Sequence, residues 1–222
     1  MYEMAIFAGG LGTRLKNTEI LPKPFVDING KSLISRIIES FYSTGLFYSF
    51  HILTCCDKDN YSSILTKELP ELNVFVYNEP KRTGRTGALK YFLEKNTSIK
   101  EFFVANGDTL FSNISSVELE EGINTSFKDL PVTFLAKPDP KRNDYLSVTH
   151  VNSKEFKNMQ NSGLFYISRN WLDIIVFKSK DLKDIDYYLF ELNQSSISFP
   201  LNTFLYDAGT PERLKQIREE IK

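Results

Sequence analysis

The sequence predicts an α/β fold with mostly parallel strands, because short apolar runs alternate with helical patterns and turn motifs follow several of the runs. The strand candidates are residues 4–8, 50–54, 74–77, 102–105, 132–136, 164–168 and 203–206. Strand–helix repetition implies parallel strands joined by right-handed crossovers. Ligands are then expected at the carboxyl ends of the strands.

Helical patterns lie between several of these runs. The clearest begins near Gly30 and ends at Gly45, a natural glycine stop. Its apolar face consists of Leu33, Ile34, Ile37, Ile38 and Phe41. Similar patterns cover residues 61–69 and 88–93. A final helix is predicted with Thr210 as N-cap and Pro211 as its first residue.

Length and composition favour a single domain over residues 1–222. With 41% hydrophobic and 25% charged residues, the chain resembles a soluble globular protein with a sizeable core. The net charge of −1 and a pI near 6.2 argue against nucleic-acid binding based on bulk positive charge. Trp171 and most phenylalanines are expected in the core.

The sequence also bears on location. No apolar run reaches the roughly 20 residues needed to cross a bilayer. The N-terminal apolar stretch has no basic region or cleavage motif, so no export signal is expected. Adjacent Cys55 and Cys56 are poorly placed to form a disulfide with each other, which fits a reducing compartment. We therefore expect a cytoplasmic protein with no membrane partner.

A glycine-rich segment, AGGLGTRLK at residues 8–16, directly follows the first strand candidate. Glycines let backbone N–H groups approach an anion, and Arg14 adds a planar fork of donors that matches phosphate oxygens. The segment lacks the Gly-Lys-Ser/Thr ending of a Walker loop. Leu15 stands where a dinucleotide fingerprint needs a third glycine. Phosphate binding is the functional interpretation, and a surface turn is the alternative.

Lys23 strengthens the phosphate interpretation. It lies between Pro22 and Pro24, whose rings restrict the backbone and can fix the direction of its ammonium group. A lone lysine is usually only solvated. Its combination with the glycine segment favours an anion site.

These residues resemble the sugar-phosphate nucleotidyltransferase family, whose signature GGxGTRL followed by Lys-Pro matches residues 9–15 with Lys23 and Pro24. The resemblance implies a Rossmann-like three-layer α/β/α fold with a mixed, mostly parallel central sheet. It also implies that Arg14 and Lys23 neutralise a triphosphate. The loop residues around that triphosphate would be Ala8, Gly9, Gly10, Gly12 and Thr13. The branch that makes GDP-heptose is the closest likeness.

Two acidic segments match the Mg2+ carboxylates of that family. Asp108 lies in Asn-Gly-Asp-Thr after a strand candidate, and Asp207 lies in a segment similar to the family's D-x-G-T-P-E. A carboxylate at the carboxyl end of a strand offers hard oxygen to a hard cation. An ordinary Asp turn and a strand end before a capped helix are the respective alternatives.

The resemblance also implies residues for the base. Glu79 precedes a proline and a glycine-rich turn that contains Gly84 and Gly87. An ionised glutamate only accepts hydrogen bonds, so it suits the N1–H and N2 amino edge of guanine, and GTP is the first choice. An exposed glutamate before a turn is the alternative. Lys81, Arg82 and Arg85 are departures from the branch that add charge near the base pocket. A solvated loop is their preferred explanation, and another phosphate contact is the alternative.

The sugar side departs more strongly from the family. Asn161 and Gly163 match its N-x-G segment, although a turn would also explain them. Leu146 stands where the family has a glycine, and the usual Glu-Lys pair is missing. Lys154 or Lys157 is expected to replace the lysine.

Together these features predict a Mg2+-dependent enzyme that joins a nucleoside triphosphate to a sugar 1-phosphate. Residues 1–110 would form the nucleotide-binding half and residues 111–222 the sugar-phosphate-binding half. Both monomer and homodimer stay open. Alternatives are a cytidylyl-, uridylyl- or thymidylyltransferase, a non-catalytic nucleotide-binding or regulatory protein of the same fold, and an interaction module with an incidental glycine turn.

Overall fold

The computed structural model describes residues 1–10, 15, 23–55, 61–127, 129–139, 148–151, 154–179, 181–192 and 196–221, with the backbone alone at 148–151 and 154–157. The strands are β1 (Tyr2–Phe7), β2 (Asp27–Ile28), β3 (Lys31–Ser32), β4 (Phe47–Cys55), β5 (Val74–Glu79), β6 (Glu101–Asn106), β7 (Thr109–Phe111), β8 (Val132–Pro138), β9 (Val148–Val151), β10 (Lys154–Ser168) and β11 (Ile197–Asp207).

The helices lie mainly between these strands. The α-helices are α1 (Leu33–Tyr42), α2 (Tyr61–Glu68), α3 (Gly84–Lys95), α4 (Ser116–Asn124), α5 (Arg169–Trp171) and α6 (Pro211–Glu220). A 3₁₀ turn covers Lys23–Phe25, and π-helical turns cover Leu172–Val176 and Tyr187–Glu191. In the described part of the chain, no helix is long and apolar enough to cross a membrane.

One mixed sheet organises the molecule, as predicted. Its order is β5-β4-β1-β6-β10-β8-β11-β7, with β9 paired to β10. The pairings β5-β4, β4-β1, β1-β6 and β8-β11 are parallel, whereas β10 and β7 run antiparallel to their neighbours. Most strands therefore share one direction. Their carboxyl ends meet along one edge of the sheet.

Two apolar clusters cover the two faces of this sheet. Alternating residues of a strand point to opposite faces, so Phe103 of β6 belongs to one cluster and Val104 to the other. The first cluster packs beneath α1, α2, α4 and α6, and the second beneath α3 and the segment around Trp171. The result is the three-layer α/β/α arrangement that the resemblance implied.

The predicted strands and helices are confirmed, with longer bounds for several of them, but α1 is shorter than predicted and starts at Leu33 rather than near Gly30. Trp171 is buried, as expected. Thr210 caps α6 by accepting a hydrogen bond from the backbone N–H of Arg213, and Pro211 is its first residue. Gly45 has a left-handed φ of +73°, but α1 ends three residues earlier, at Tyr42.

Candidate functional site

A cavity of about 430 Å³ opens at the carboxyl edge of the sheet, within the size range of small-molecule sites. Its walls come from the ends of β1, β4, β5 and β6, the start of α3, and a segment near residue 184. The lining residues are Phe7, Ala8, Gly9, Gly10, Lys23, Pro24, Leu53, Thr54, Cys55, Glu79, Arg82, Gly84, Arg85, Ala88, Asn106, Gly107, Asp108 and Asp184.

The start of the predicted phosphate loop lies in this wall. Ala8 continues from β1 and its N–H donates to the carbonyl oxygen of Leu53 at 2.8 Å, which holds the chain against β4. Arg82 donates to the carbonyl oxygen of Gly9, so an arginine from the β5–α3 connection reaches the loop. The predicted residues Gly12, Thr13 and Arg14 lie outside the described residues.

Lys23 and Asp108 meet in the same wall. The Lys23 ammonium lies 2.6 Å from Oδ2 of Asp108, although 85 positions separate them in sequence. Pro24, in the same 3₁₀ turn, is buried. The Lys23 side chain is 11% exposed and that of Asp108 is 39% exposed, so the carboxylate retains solvent access.

Backbone contacts hold the segment of Asp207 next to that of Asp108. Asp207 ends β11 opposite Thr109 of β7, and the N–H of Ala208 donates to the carbonyl oxygen of Asp108 at 3.0 Å. Its Oδ2 accepts a hydrogen bond from Arg213 at 2.5 Å. The two predicted metal ligands thus lie on adjacent segments, each paired with a cation. Only Asp108 is among the cavity-lining residues described.

These two carboxylates fit a magnesium site that substrate phosphate and water complete, rather than a metal site made of protein ligands alone. Among the described residues there is no group of three or more His, Cys, Asp or Glu that could hold a metal. Magnesium is commonly bound by one or two carboxylates, substrate phosphates and water, because it dehydrates reluctantly. Asp108 and Asp207 are two carboxylates of the kind that such a site would use. A magnesium ion there would compete with their present partners, Lys23 and Arg213.

Glu79 is buried rather than exposed, which argues against a solvated turn residue. It ends β5 with 5% of its surface accessible, and its Oε1 accepts a hydrogen bond from the Thr83 hydroxyl at 2.5 Å. Gly84, the first residue of α3, lines the cavity. Gly87 does not line it but packs behind Thr83, where an added Cβ would lie 1.9 Å from Oγ1. Gly87 therefore lets Thr83 hold Glu79.

The predicted sugar segment approaches Asn106 of β6. Gly163 has a φ of +70°, and an added Cβ would lie 2.2 Å from the Asn106 side-chain nitrogen. The N–H of Gly163 donates to Oδ1 of Asn161 at 2.9 Å. Asn106 lines the cavity, whereas Asn161 and Gly163 are not among its lining residues. For Lys154 and Lys157 only the backbone, in β10, is described.

Arg85 corrects one expectation. It lies in α3 rather than in a solvated loop, with 29% of its side chain exposed, and it pairs with Asp184 and with Asp186 at 2.6 Å. Its guanidinium carbon is 5.9 Å from the Phe7 ring centroid. Burial lowers the pKa of Arg85, but the hydrogen bonds to both aspartates and their negative charges together outweigh burial and raise it overall. Arg85 is therefore a charged part of the cavity wall.

Sequence reasoning did not find Asp184. It is separated from Arg85 by 99 positions and lies in no motif. An arginine at an unusual position near a predicted pocket was the one available signal, since a partly buried guanidinium needs a carboxylate partner.

A model of the MobA-like NTP transferase domain matches residues 4–119, more than half of the chain. The chain belongs to this family. The match covers the glycine segment, Lys23, Glu79 and Asp108. The family resemblance predicted from these residues is confirmed.

Similar proteins extend the comparison. The bifunctional protein GlmU of Methanococcus aeolicus is 23% identical over 178 residues, which cover 78% of this chain and 42% of that protein. The chain thus spans about two fifths of the length of this curated relative.

Solved structures share the fold over the whole chain. HddC from Yersinia pseudotuberculosis has a TM-score of 0.77 at 24% identity, with all of both chains covered, and its complex with GMP-PN scores 0.76 at 22% over the same coverage. The inositol-1-phosphate CTP transferase of T. maritima scores 0.74 at 17% identity, covering 100% of this chain and 96% of that one. This fold similarity confirms the predicted architecture.

Proposed function

We propose that the protein transfers a nucleoside monophosphate from a nucleoside triphosphate to a sugar 1-phosphate, releasing pyrophosphate and a nucleotide sugar. GTP is the favoured donor and a heptose 1-phosphate the favoured acceptor. One observation carries the proposal: a single cavity at the carboxyl edge of the sheet gathers Gly9, Lys23, Glu79 and Asp108 from four separate segments. Family membership and the GMP-PN complex of HddC support it.

The proposed reaction is an in-line displacement at the α-phosphorus. An oxygen of the sugar 1-phosphate forms a bond to that phosphorus, and the bond to the α–β bridging oxygen breaks, so pyrophosphate carries away the electron pair. Backbone N–H groups near Gly9 and Gly10, together with Arg14 and Lys23, would bind the triphosphate. Positioning and electrostatic stabilisation would supply the rate enhancement.

Asp108 and Asp207 would hold a magnesium ion, which neutralises phosphate charge when bound. Lys23 lines the same cavity, and its ammonium has three donors. It can therefore donate to a phosphate oxygen as well as to Asp108. Glu79, positioned by Thr83, would accept hydrogen bonds from the base. Asn161, Gly163 and either Lys154 or Lys157 would serve the sugar phosphate.

We propose one domain over residues 1–222, with a nucleotide-binding half at 1–110 and a sugar-phosphate-binding half at 111–222. The proposed location is the cytoplasm and the proposed role is precursor supply for surface-polysaccharide synthesis, as monomer or homodimer.

Pyrophosphate release tests the proposed reaction. The purified protein is incubated with Mg2+, each common nucleoside triphosphate in turn, and a panel of hexose and heptose 1-phosphates, with EDTA as the metal-free control. We expect release for GTP with a heptose 1-phosphate. Release with another pairing would reassign base or sugar. Tight Mg2+-dependent triphosphate binding without release across a broad panel would favour a non-catalytic nucleotide-binding protein, and no binding would contradict the proposal.

A further inference from the structure

The cavity has a second acidic residue at the end where Glu79 lies. Both Glu79 and Asp184 line it, and both flank the start of α3: Glu79 accepts from Thr83, directly before the helix, and Asp184 accepts from Arg85, its second residue. The first comes from the end of β5 and the second from the other half of the chain. The two carboxylates therefore share one end of the ligand space.

Asp184 is held firmly in this position. Its Oδ2 accepts from Nε of Arg85 at 3.2 Å, and its Oδ1 accepts from Nη2 of Arg85 and from the N–H of Asp186 at 3.1 Å. A neighbouring hydrogen bond also holds this segment, since the Thr86 hydroxyl donates to the carbonyl oxygen of Lys183 at 2.7 Å. The segment around Asp184 is thus fastened to the first turn of α3.

Asp184 can still accept a hydrogen bond from a ligand. A carboxylate offers about four acceptor positions, and the three bonds described here leave room on Oδ2. Its side chain is 48% exposed, whereas Glu79 is 5% exposed. An ionised carboxylate only accepts, so both residues demand donors from whatever occupies this end of the cavity.

We infer that Asp184 is a specificity-determining residue that accepts a hydrogen bond from the 2-amino group of a guanine base, beside Glu79. The inference rests on the proposed function. Guanine presents N1–H and a two-hydrogen amino group on one edge. Since Oε1 of Glu79 already accepts from Thr83, the other oxygen of Glu79 would accept from N1–H and Asp184 from the amino group. On the corresponding edge adenine and cytosine place ring acceptors beside one amino donor, and uracil and thymine place two carbonyl oxygens around one N3–H, so each of these bases would set an acceptor against one of the two carboxylates.

Inosine triphosphate provides the chemical probe, because it lacks only the 2-amino group of GTP. We expect the wild-type protein with Mg2+ to bind GTP about tenfold more tightly than ITP in a calorimetric titration, the effect of one charge-assisted hydrogen bond. In Asp184→Ala that preference should vanish through weaker GTP binding, while ITP affinity stays unchanged.

Asp186→Ala is the matched control. It removes the other partner of Arg85 but not a cavity-lining carboxylate, so it should keep the GTP preference. Loss of the preference in both variants would show that Asp184 acts only by holding Arg85 and would overturn the inference. A similar loss of GTP and ITP affinity in Asp184→Ala would overturn it as well.

A separate result identifies failure of the function itself. Wild-type protein that binds another triphosphate in preference to GTP overturns the guanine inference but leaves nucleotidyl transfer standing. Wild-type protein that binds no triphosphate overturns both. 2′-Deoxy-GTP tests whether Asp184 instead contacts the ribose. If the wild type binds it more weakly than GTP and Asp184→Ala binds both equally, the assignment of Asp184 to the base is wrong.

Discussion

Asp108 places a part-exposed carboxylate in the cavity wall, beside the ammonium of Lys23. In Asp108→Asn, the amide would bind a hard cation poorly and would pair weakly with the lysine. We expect turnover to fall by about a hundredfold or more. The free energy of unfolding should change by less than about 1 kcal/mol, because part-exposed ion pairs contribute little. Pyrophosphate release and urea denaturation measure the two quantities.

Asp173→Asn is a control for this prediction. The Asp173 carboxylate lies 3.5 Å from Nε of Arg169, and neither residue lines the cavity. Activity and stability should therefore both stay near wild type. Full activity of a folded Asp108→Asn protein would show that the assignment of Asp108 as a metal ligand is wrong.

His51 gives the protein a residue-scale dependence on pH. Its ring is buried in β4, with Nε2 lying 2.5 Å from Oε2 of Glu3. Burial lowers its pKa from 6.5, and the hydrogen bond and charge of Glu3 only partly offset that effect. The unfolded chain therefore binds a proton at a higher pH than the folded chain. The contribution of His51 to the free energy of unfolding is therefore complete above pH 6.5 and is lost as the pH falls below that value.

We expect the free energy of unfolding of the wild type to decline more steeply below pH 6.5 than that of His51→Gln, which cannot take up the proton. Urea denaturation at a series of pH values gives both slopes. The comparison uses slopes because the substitution also changes packing at every pH. Parallel slopes for the two proteins would mean that His51 does not titrate differently on folding.

At the scale of elements, α6 depends on its first residues. The Thr210 hydroxyl accepts from the backbone N–H of Arg213, the residue whose side chain pairs with Asp207. Thr210→Ala should lower the free energy of unfolding by about 1 kcal/mol, the usual effect of losing a helix cap. Thr210→Ser keeps the hydroxyl and should cost much less. If both substitutions cost the same in urea denaturation, the methyl group rather than the cap carries the effect.

Elements with strong local patterns were predictable, and elements defined by distant partners were not. The end of β5 at Glu79 and the turn after β6 that contains Asp108 follow from apolar runs and turn motifs. Helix α4 was missed because only Leu119 and Gly122 are buried in it, which gives a weak helical period. Ser115 and Glu118 form an S-x-x-E pattern at its start, a capping signal that could have found it.

The site shows the same division. The cavity-lining positions of Gly9 and Glu79 follow from motifs at strand termini, and that of Lys23 follows from its place between two prolines. Asp184 could not be predicted because its place depends on a contact with Arg85 across 99 positions. The offset in β10 pairing between Asn161 and Leu164, which brings Gly163 against Asn106, is likewise a tertiary feature.

At the scale of the whole molecule, the second half of the chain completes the sheet and core of the first. Strand β10 lies between β6 and β8, and its residues 164–168 pair with residues 101–105 of β6. Trp171 is 4% exposed and belongs to the same apolar cluster as Ala5, Leu53 and Val104 from the first half. Residues 1–110 alone would leave β6 unpaired on one side and this cluster open to water.

The shared core predicts that the chain unfolds as one cooperative unit. Trp171 is the only tryptophan, so its fluorescence reports the packing of the second half against the first, while far-UV circular dichroism reports helices and strands of both. In urea the two signals should give the same midpoint and slope, as expected for two-state unfolding. A fluorescence transition well separated from the circular dichroism transition would mean that the halves unfold independently and would contradict a single domain over residues 1–222. Coincident transitions would also mean that Asp184 and Glu79, which come from different halves, keep their shared cavity until the whole molecule unfolds.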